Sequence, residues 1–347
     1  KAERHLGIYA LYVMFYPQLV AGPIERPQNL LHQFYEEHRA DYERIVIGLR
    51  KMLWGFFKKM VIADNLAIYV NQAFGHPHDY SGLTLFTASF FFAIQIYCDF
   101  SGYSDIAIGS AKVMGFHLMQ NFKNPYFASS ISEFWRRWHI SLSTWFKDYV
   151  YIPLGGNRVS KARWYFNLMI TFILSGFWHG ANWTYVIWGS IHGAYLVISQ
   201  WLETLYKATF PIWLKRIWVF ILVLTAWVFF RANTLADAKY IIIQAISGLG
   251  RLFMGFGQSM AQLSLHPLVE ASGQWLKPLA YDRSQFILIC VLIVVLWLAE
   301  IVDYRSDLVT VIGRQKTWLR YLIYFVLVLS ILNLGVTHEV PFIYFQF

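Results

Sequence analysis

The chain has 347 residues, of which 57% are hydrophobic, 19% aromatic and only 14% charged, with a formal net charge of +9. A typical soluble domain carries about 25% charged residues, so the composition excludes an ordinary water-soluble globular domain and points to a polytopic α-helical membrane protein. The cations fall in short loops between apolar stretches, a positive-inside pattern that argues against nucleic acid as the partner.

Leu6–Ile24 carries no Asp, Glu, Lys or Arg, and within it Leu6–Val20 is the first predicted span, ending at Gly22-Pro23. In Arg44–Phe74 the cations Arg50, Lys51, Lys58 and Lys59 interrupt an apolar pattern, as expected of an amphipathic helix lying at the membrane interface. Tyr80–Cys98 is again free of charge and runs into 97-YCDFSGYSDIAIG-109. There Asp99 and Asp105 lie about 240° apart on a helical wheel, so they are no same-face pair, and structural roles are expected of both.

Lys123–Arg163 holds seven basic residues against two acidic ones, a net +5, which places it on the cytosolic side. Inside it, 131-ISEFWRRWHISLSTWFKDYVYIPLGGNR-158 reads as one amphipathic helix ended by Pro153 and Gly155-Gly156. Phe134, Trp138, Leu142, Trp145 and Tyr149 share its apolar face, with Trp135 and Phe146 at the edge. His139 falls at the boundary.

Trp164–Leu202 lacks Asp, Glu, Lys and Arg and is long enough for two crossings joined by a tight turn. His179 lies here, flanked by Gly176, Gly180, Ala181 and Asn182. Ionisable groups inside a membrane are costly and face a cavity or a partner. Two readings compete: a buried histidine bonded to a neighbouring helix, or a general base lining a tunnel. On a continuous helix His192 would face nearly opposite to His179, which speaks against a shared metal site.

Ile217–Phe230, Ser284–Ala299 and Tyr321–His338 bring the expected total to about seven to nine spans. Gly248–Arg283 reads as an extramembrane loop with short helices. Cys98 and Cys290 read as small core residues, and the aromatic end 340-VPFIYFQF-347 as docked. No zinc-type histidine spacing, P-loop or G-x-S-x-G elbow is present. The chain begins at Lys1 without Met or a signal-peptide pattern, so upstream spans are expected.

Four blocks carry a resemblance: 17-PQLVAGPIERPQNLLHQF-34, 95-QIYCDFSGYSDIAIG-109, 120-QNFKNPYFASSISEFWRRWHISLSTWFKDYVYIPLGGNR-158 and 174-LSGFWHGANWTYVIWGSIHG-193. The sequence resembles the membrane-bound O-acyltransferase (MBOAT) family, in the bacterial branch of alginate O-acetylation and teichoic-acid D-alanyl transfer proteins; 342-FIYFQF-347 is similar to the alginate type. The resemblance implies a single membrane domain over 1–347 that lacks N-terminal spans. Its implied fold is a ring of tilted transmembrane helices around a thin centre pierced by a tunnel.

The resemblance makes His179 the catalytic histidine and His139 the second active-site position. Arg136 and Arg137 are candidate donor contacts, and Asn182 a weaker candidate for stabilising an oxyanion. No bound cofactor or metal is implied. The donor is acetyl-CoA or an acyl-carrier thioester, and the acceptor an extracytoplasmic polysaccharide reached with a separate periplasmic or extracellular acetyltransferase partner. The implied location is the bacterial cytoplasmic membrane. D-alanyl transfer is the alternative within the class, and a polysaccharide or lipid transporter the alternative outside it.

Overall fold

The computed structural model describes residues 3–80, 82–205, 210–262, 283–336 and 342–343. Among them every regular element is helical, and five helices are long and apolar enough to cross a membrane. They fall into two compact units interleaved in sequence. One comprises Lys1–Asp64, Ile96–Arg158 and Leu292–Phe347, the other Asn65–Gln95 and Val159–Val291.

The first unit opens with α1 (Leu6–Met14), nine residues with no buried side chain. At about 1.5 Å per residue it is too short to cross hydrocarbon, so the span expected in Leu6–Ile24 does not form. The chain turns where Phe15 packs its ring against Phe34 and Phe116, 5.4 and 4.9 Å away. Helix α2 (Tyr42–Phe56) starts at Asp41, whose carboxylate accepts from the Arg44 N–H. It passes through a π-helical stretch, Phe57–Ala63, into α3 (Asp64–Gly75).

The lysines of this long element meet acids: α2 runs antiparallel to α4 (Leu83–Met114), while Arg50 donates to the Tyr324 hydroxyl. Lys51 and Lys58 both reach Asp105, at 3.0 and 2.7 Å, while Lys59 bridges Asp64 and Asp99, each at 2.7 Å. The sequence pattern shows cations breaking an apolar run; only tertiary pairing reveals that they are neutralised inside the protein. Two glycine pairs permit that approach. A Cβ on Gly48 would sit 2.6 Å from the Gly109 carbonyl oxygen, and one on Gly55 2.6 Å from that of Gly102.

The predicted single helix over 131–152 is instead α5 (Ile131–Arg137) and α6 (Ile140–Phe146), followed by a π-helical turn, Lys147–Tyr151. Phe134, Trp138, Leu142 and Phe146 are buried as the wheel requires, but Tyr149 is exposed. The break falls at His139, which adopts the left-handed conformation, φ 42° and ψ 54°. The unit also holds the end of α11 (Arg283–Arg305), α12 (Leu308–Gly313) and α13 (Thr317–Leu334). Asp99 accepts the Ile343 N–H at 2.8 Å, and Phe342 and Ile343 are buried, so the described part of the C-terminus is docked.

The second unit is built on a hairpin of α7 (Lys161–His179) and α8 (Trp183–Leu205); α9 (Ile212–Arg231) packs on α8, and α10 (Leu235–Gln262) on α9. The turn between the hairpin helices is only 180–182, as expected. Helix α10 runs through Gly248–Gln262, where a loop was expected; the rest of that stretch, 263–282, lies outside the described residues. Apolar side chains on the long helices stay exposed, among them Trp218, Ile287, Phe325 and Leu332, as lipid-facing positions should. Cys98 is buried, but Cys290 is exposed on α11 rather than in a core.

Candidate active site

The two histidines singled out in the sequence belong to different units, and each has its own built surroundings. His179 is the last residue of α7, so its side chain stands where the helix stops and the chain reverses. Three rings wall it: Trp178 and Trp188 with centroids at 5.1 Å and Phe230 at 5.3 Å.

The small residues around His179 serve the hairpin. A Cβ on Gly176 would lie 2.2 Å from the Tyr185 carbonyl oxygen, and one on Gly180 2.6 Å from the Tyr185 ring. What approaches closely is therefore the second helix of the hairpin. Because the helix breaks between His179 and His192, the two rings do not diverge as a continuous helix would require. His192, fully buried, meets the same Trp188 with centroids 5.2 Å apart.

Asn182 caps α8: its Oδ1 accepts from the Thr184 N–H at 3.1 Å, and its amide donates to the Asn233 carbonyl, also at 3.1 Å. These bonds tie the turn after His179 to the turn after α9. Arg231, at the end of α9, donates to Asn71 Oδ1 at 2.7 Å.

In the first unit His139 is 4% exposed, not at a boundary. Two backbone bonds that tie residues 121–123 to the break between α5 and α6 hold it there. Lys123 N–H donates to the Arg137 carbonyl and Ile140 N–H to the Asn121 carbonyl, both at 2.9 Å. Asn121, wholly buried, is thereby laid beside His139. Its Oδ1 lies 3.1 Å from His139 Nδ1, 2.9 Å from Ser141 Oγ and 3.2 Å from the Ser141 nitrogen. Its Nδ2 donates to Ser104 Oγ at 3.3 Å. Phe100 meets the His139 ring edge to face at 4.6 Å.

The sequence contained Asn121 and Ser141 within a recognised block but gave no reason to prefer them, since their partner lies about twenty residues away along the chain. Arg137 is committed to its own unit, pairing with Glu133 at 2.8 Å and lying 5.4 Å over the Tyr304 ring. Arg136 is exposed and bonds only weakly, to Ser132 at 3.3 Å. Of the two, Arg136 keeps the freedom to meet a ligand.

A small polar cavity opens beside Asn121 and Ser104, lined also by Lys51, Lys58, Asp105 and Glu300. Tyr97 donates to Glu300 at 2.7 Å, and Asn124 bonds both Glu300 and Asp303, at 2.8 and 3.2 Å. Among the described residues no group of three or more His, Cys, Asp or Glu side chains is placed to hold a metal ion.

Residues 5–236 match the membrane-bound O-acyltransferase family model. The chain is 44% identical over 252 residues to the probable alginate O-acetylase of Azotobacter vinelandii, covering 72% of this chain and 49% of that protein. It is 42% identical over 243 residues to the peptidoglycan O-acetyltransferase of Helicobacter pylori, covering 69% and 46%. The teichoic acid D-alanyltransferase of Bacillus subtilis is 29% identical over 206 residues, 55% and 51% of the two chains. The chain spans about half the length of the curated relatives it matches.

Proposed function

Because the chain belongs to the membrane-bound O-acyltransferase family, we propose that it moves an acetyl group from a cytosolic thioester toward an extracytoplasmic polysaccharide, with His179 as the base. The observation that carries this reading is a histidine at the end of a buried helix, walled by aromatic rings, inside the region that matches the family.

The chemistry asks little else of the base. A hydroxyl attacks the thioester carbonyl; the C–O bond forms as the hydroxyl proton passes to imidazole. Collapse of the tetrahedral intermediate breaks the C–S bond, and the proton returns to the departing thiolate. A neutral imidazole is suited to both transfers. The aromatic wall keeps water from competing for the acyl group. His139 orients the acceptor or steadies the oxyanion. Asn182, engaged in capping and in the turn-to-turn bond, is the weaker candidate for that second role.

Acetyl-CoA is the donor this reading favours, with an acyl-carrier thioester as the alternative. The net +5 of Lys123–Arg163 suits either anionic donor, and Arg136 is the contact we favour. Higher identity to the two acetyl-transferring relatives, 44% and 42%, than to the D-alanyl one, 29%, supports acetyl over alanyl. The similar identities of the first two leave alginate and peptidoglycan as competing acceptors. The reading includes the ring-and-tunnel fold, a bacterial cytoplasmic membrane location and a separate outer acetyltransferase partner.

The test replaces His179 by Ala at matched membrane expression. The expected result is loss of acetyl transfer, read by mass spectrometry of the envelope polymers, with helix content retained. Wild-type transfer in that variant would overturn the assignment, and an alanyl mass increment would move the donor.

A further inference from the structure

The contacts of Asn121 assign a proton that no sequence pattern could. A backbone N–H can only donate, so the Asn121 atom 3.2 Å from the Ser141 nitrogen must be the amide oxygen. The opposite amide orientation would face donor against donor, and it would turn the carbonyl rather than the NH2 toward Ser104. That same oxygen lies 3.1 Å from His139 Nδ1. An oxygen and a bare ring nitrogen would repel as two acceptors, so Nδ1 carries the hydrogen. In the neutral ring the lone pair is then on Nε2.

We infer that Asn121 is a positioning residue, fixing His139 as the Nδ1–H tautomer with the ring lone pair on Nε2. The expected effect on turnover rests on the functional reading above; the tautomer rests on geometry alone.

Three features make this more than incidental packing. His139 holds the left-handed backbone conformation at φ 42°, strained and uncommon outside glycine. Asn121 also takes over the capping of α6. Its backbone carbonyl accepts from Ile140 and its side chain from Ser141, two of the donors a helix start leaves unmet. The His139 side chain makes no capping bond to its own helix, so the cap is left to Asn121. Finally, an amide orients the ring without adding charge, whereas a carboxylate at 121 would favour the imidazolium and remove the lone pair.

The experiment is nitrogen NMR of the full chain in nanodiscs with 15N-labelled histidine, the His139 signals being those lost in His139→Gln. The wild type is expected to show a protonated Nδ1 and a bare Nε2. Asn121→Leu should release this preference and lower turnover about 10- to 100-fold, with affinity for a non-hydrolysable acetyl-CoA analogue within about twofold. Asn121→Asp, which keeps an acceptor oxygen in place but adds charge, should keep Nδ1 protonated while shifting Nε2 toward the protonated form of the imidazolium.

A wild-type spectrum showing Nε2–H would overturn the inference, even if Asn121→Leu does not fold. So would an Asn121→Leu variant with unchanged tautomer and turnover, or one losing donor affinity and turnover equally. The spectrum needs no acyl transfer. An Nδ1–H ring in a chain that moves no acetyl group would uphold the tautomer and locate the failure in the functional reading.

Discussion

The imidazole of His179 stands edge-on to the indole of Trp188, with centroids 5.1 Å apart and planes at 89°. On its other contact the same indole, 1% exposed, meets His192, and it stacks on Trp227 at 5.9 Å. Trp188 therefore sets the position of His179 relative to both α8 and α9. Trp188→Ala should cost about 3–5 kcal/mol through the cavity it leaves. If His179 is the base proposed above, Trp188→Phe should fold but lower acetyl transfer about tenfold or more, since small displacements of a catalytic group are costly in rate. Thermal unfolding in detergent alongside transfer assays checks both. A Trp188→Phe variant with wild-type transfer would show that the indole does not position the base.

The glycine contacts between α2 and α4 predict a sign. In an exposed helix Gly→Ala stabilises by about 1 kcal/mol. At Gly48 and Gly55 the added methyl meets a carbonyl oxygen of the facing helix at 2.6 Å, and backbones cannot yield as side chains do. Gly48→Ala and Gly55→Ala are expected to lower the unfolding midpoint, whereas Gly257→Ala, where a Cβ meets nothing within 4 Å, should not. A raised midpoint in either of the first two would mean that the helices separate freely.

The charges between the same helices predict an order. Asp105 serves two lysines, and Lys58 is almost fully buried, with Ser101 as a further acceptor at 2.8 Å. Asp105→Asn leaves two ammonium groups without their shared counter-charge and should cost about 3–5 kcal/mol. Lys58→Met should cost less, because Asp105 retains Lys51. The double variant Lys58→Met with Asp105→Leu should recover part of the larger loss. Equal effects of the two single changes, measured by denaturation, would argue against a shared acid.

These relationships mark where the sequence was legible. Charge-free runs announced four of the five span-length helices but not α10, and the run Leu6–Ile24 gave none; the tight turn in 164–202 was expected, though not that His179 would end its first helix. What periodicity could not show was pairing across distance. Lys51 of α2 and Lys58 and Lys59 of the π-helical stretch after it look like surface cations until Asp99 and Asp105 are laid beside them. The wheel over 131–152 assumed one continuous helix, and a left-handed residue in its middle breaks that assumption. The burial of Phe134, Trp138 and Leu142 was still foreseen, because each short helix keeps its own local periodicity. Asn121 was invisible for the same reason as the lysine partners: its meaning lies in a contact with His139.

Glu25 predicts a dependence on pH. It is buried near the end of the first loop, accepting from the Met119 N–H and more distantly from Asn29. Burial pushes its carboxyl above the ordinary glutamate range, and these hydrogen bonds only partly offset that. An acid with a raised folded-state pKa binds more protons folded than unfolded, so stability falls as pH rises across that window. Glu25→Gln keeps an oxygen for Met119 and removes the charge. The variant should therefore be more stable than the wild type at neutral pH. The advantage should vanish below about pH 4, where the carboxyl is protonated in both states. Unfolding midpoints of the two proteins at matched pH values read the difference directly. A Glu25→Gln variant less stable at neutral pH would show that the carboxylate's bonds to Met119 and Asn29 outweigh its burial.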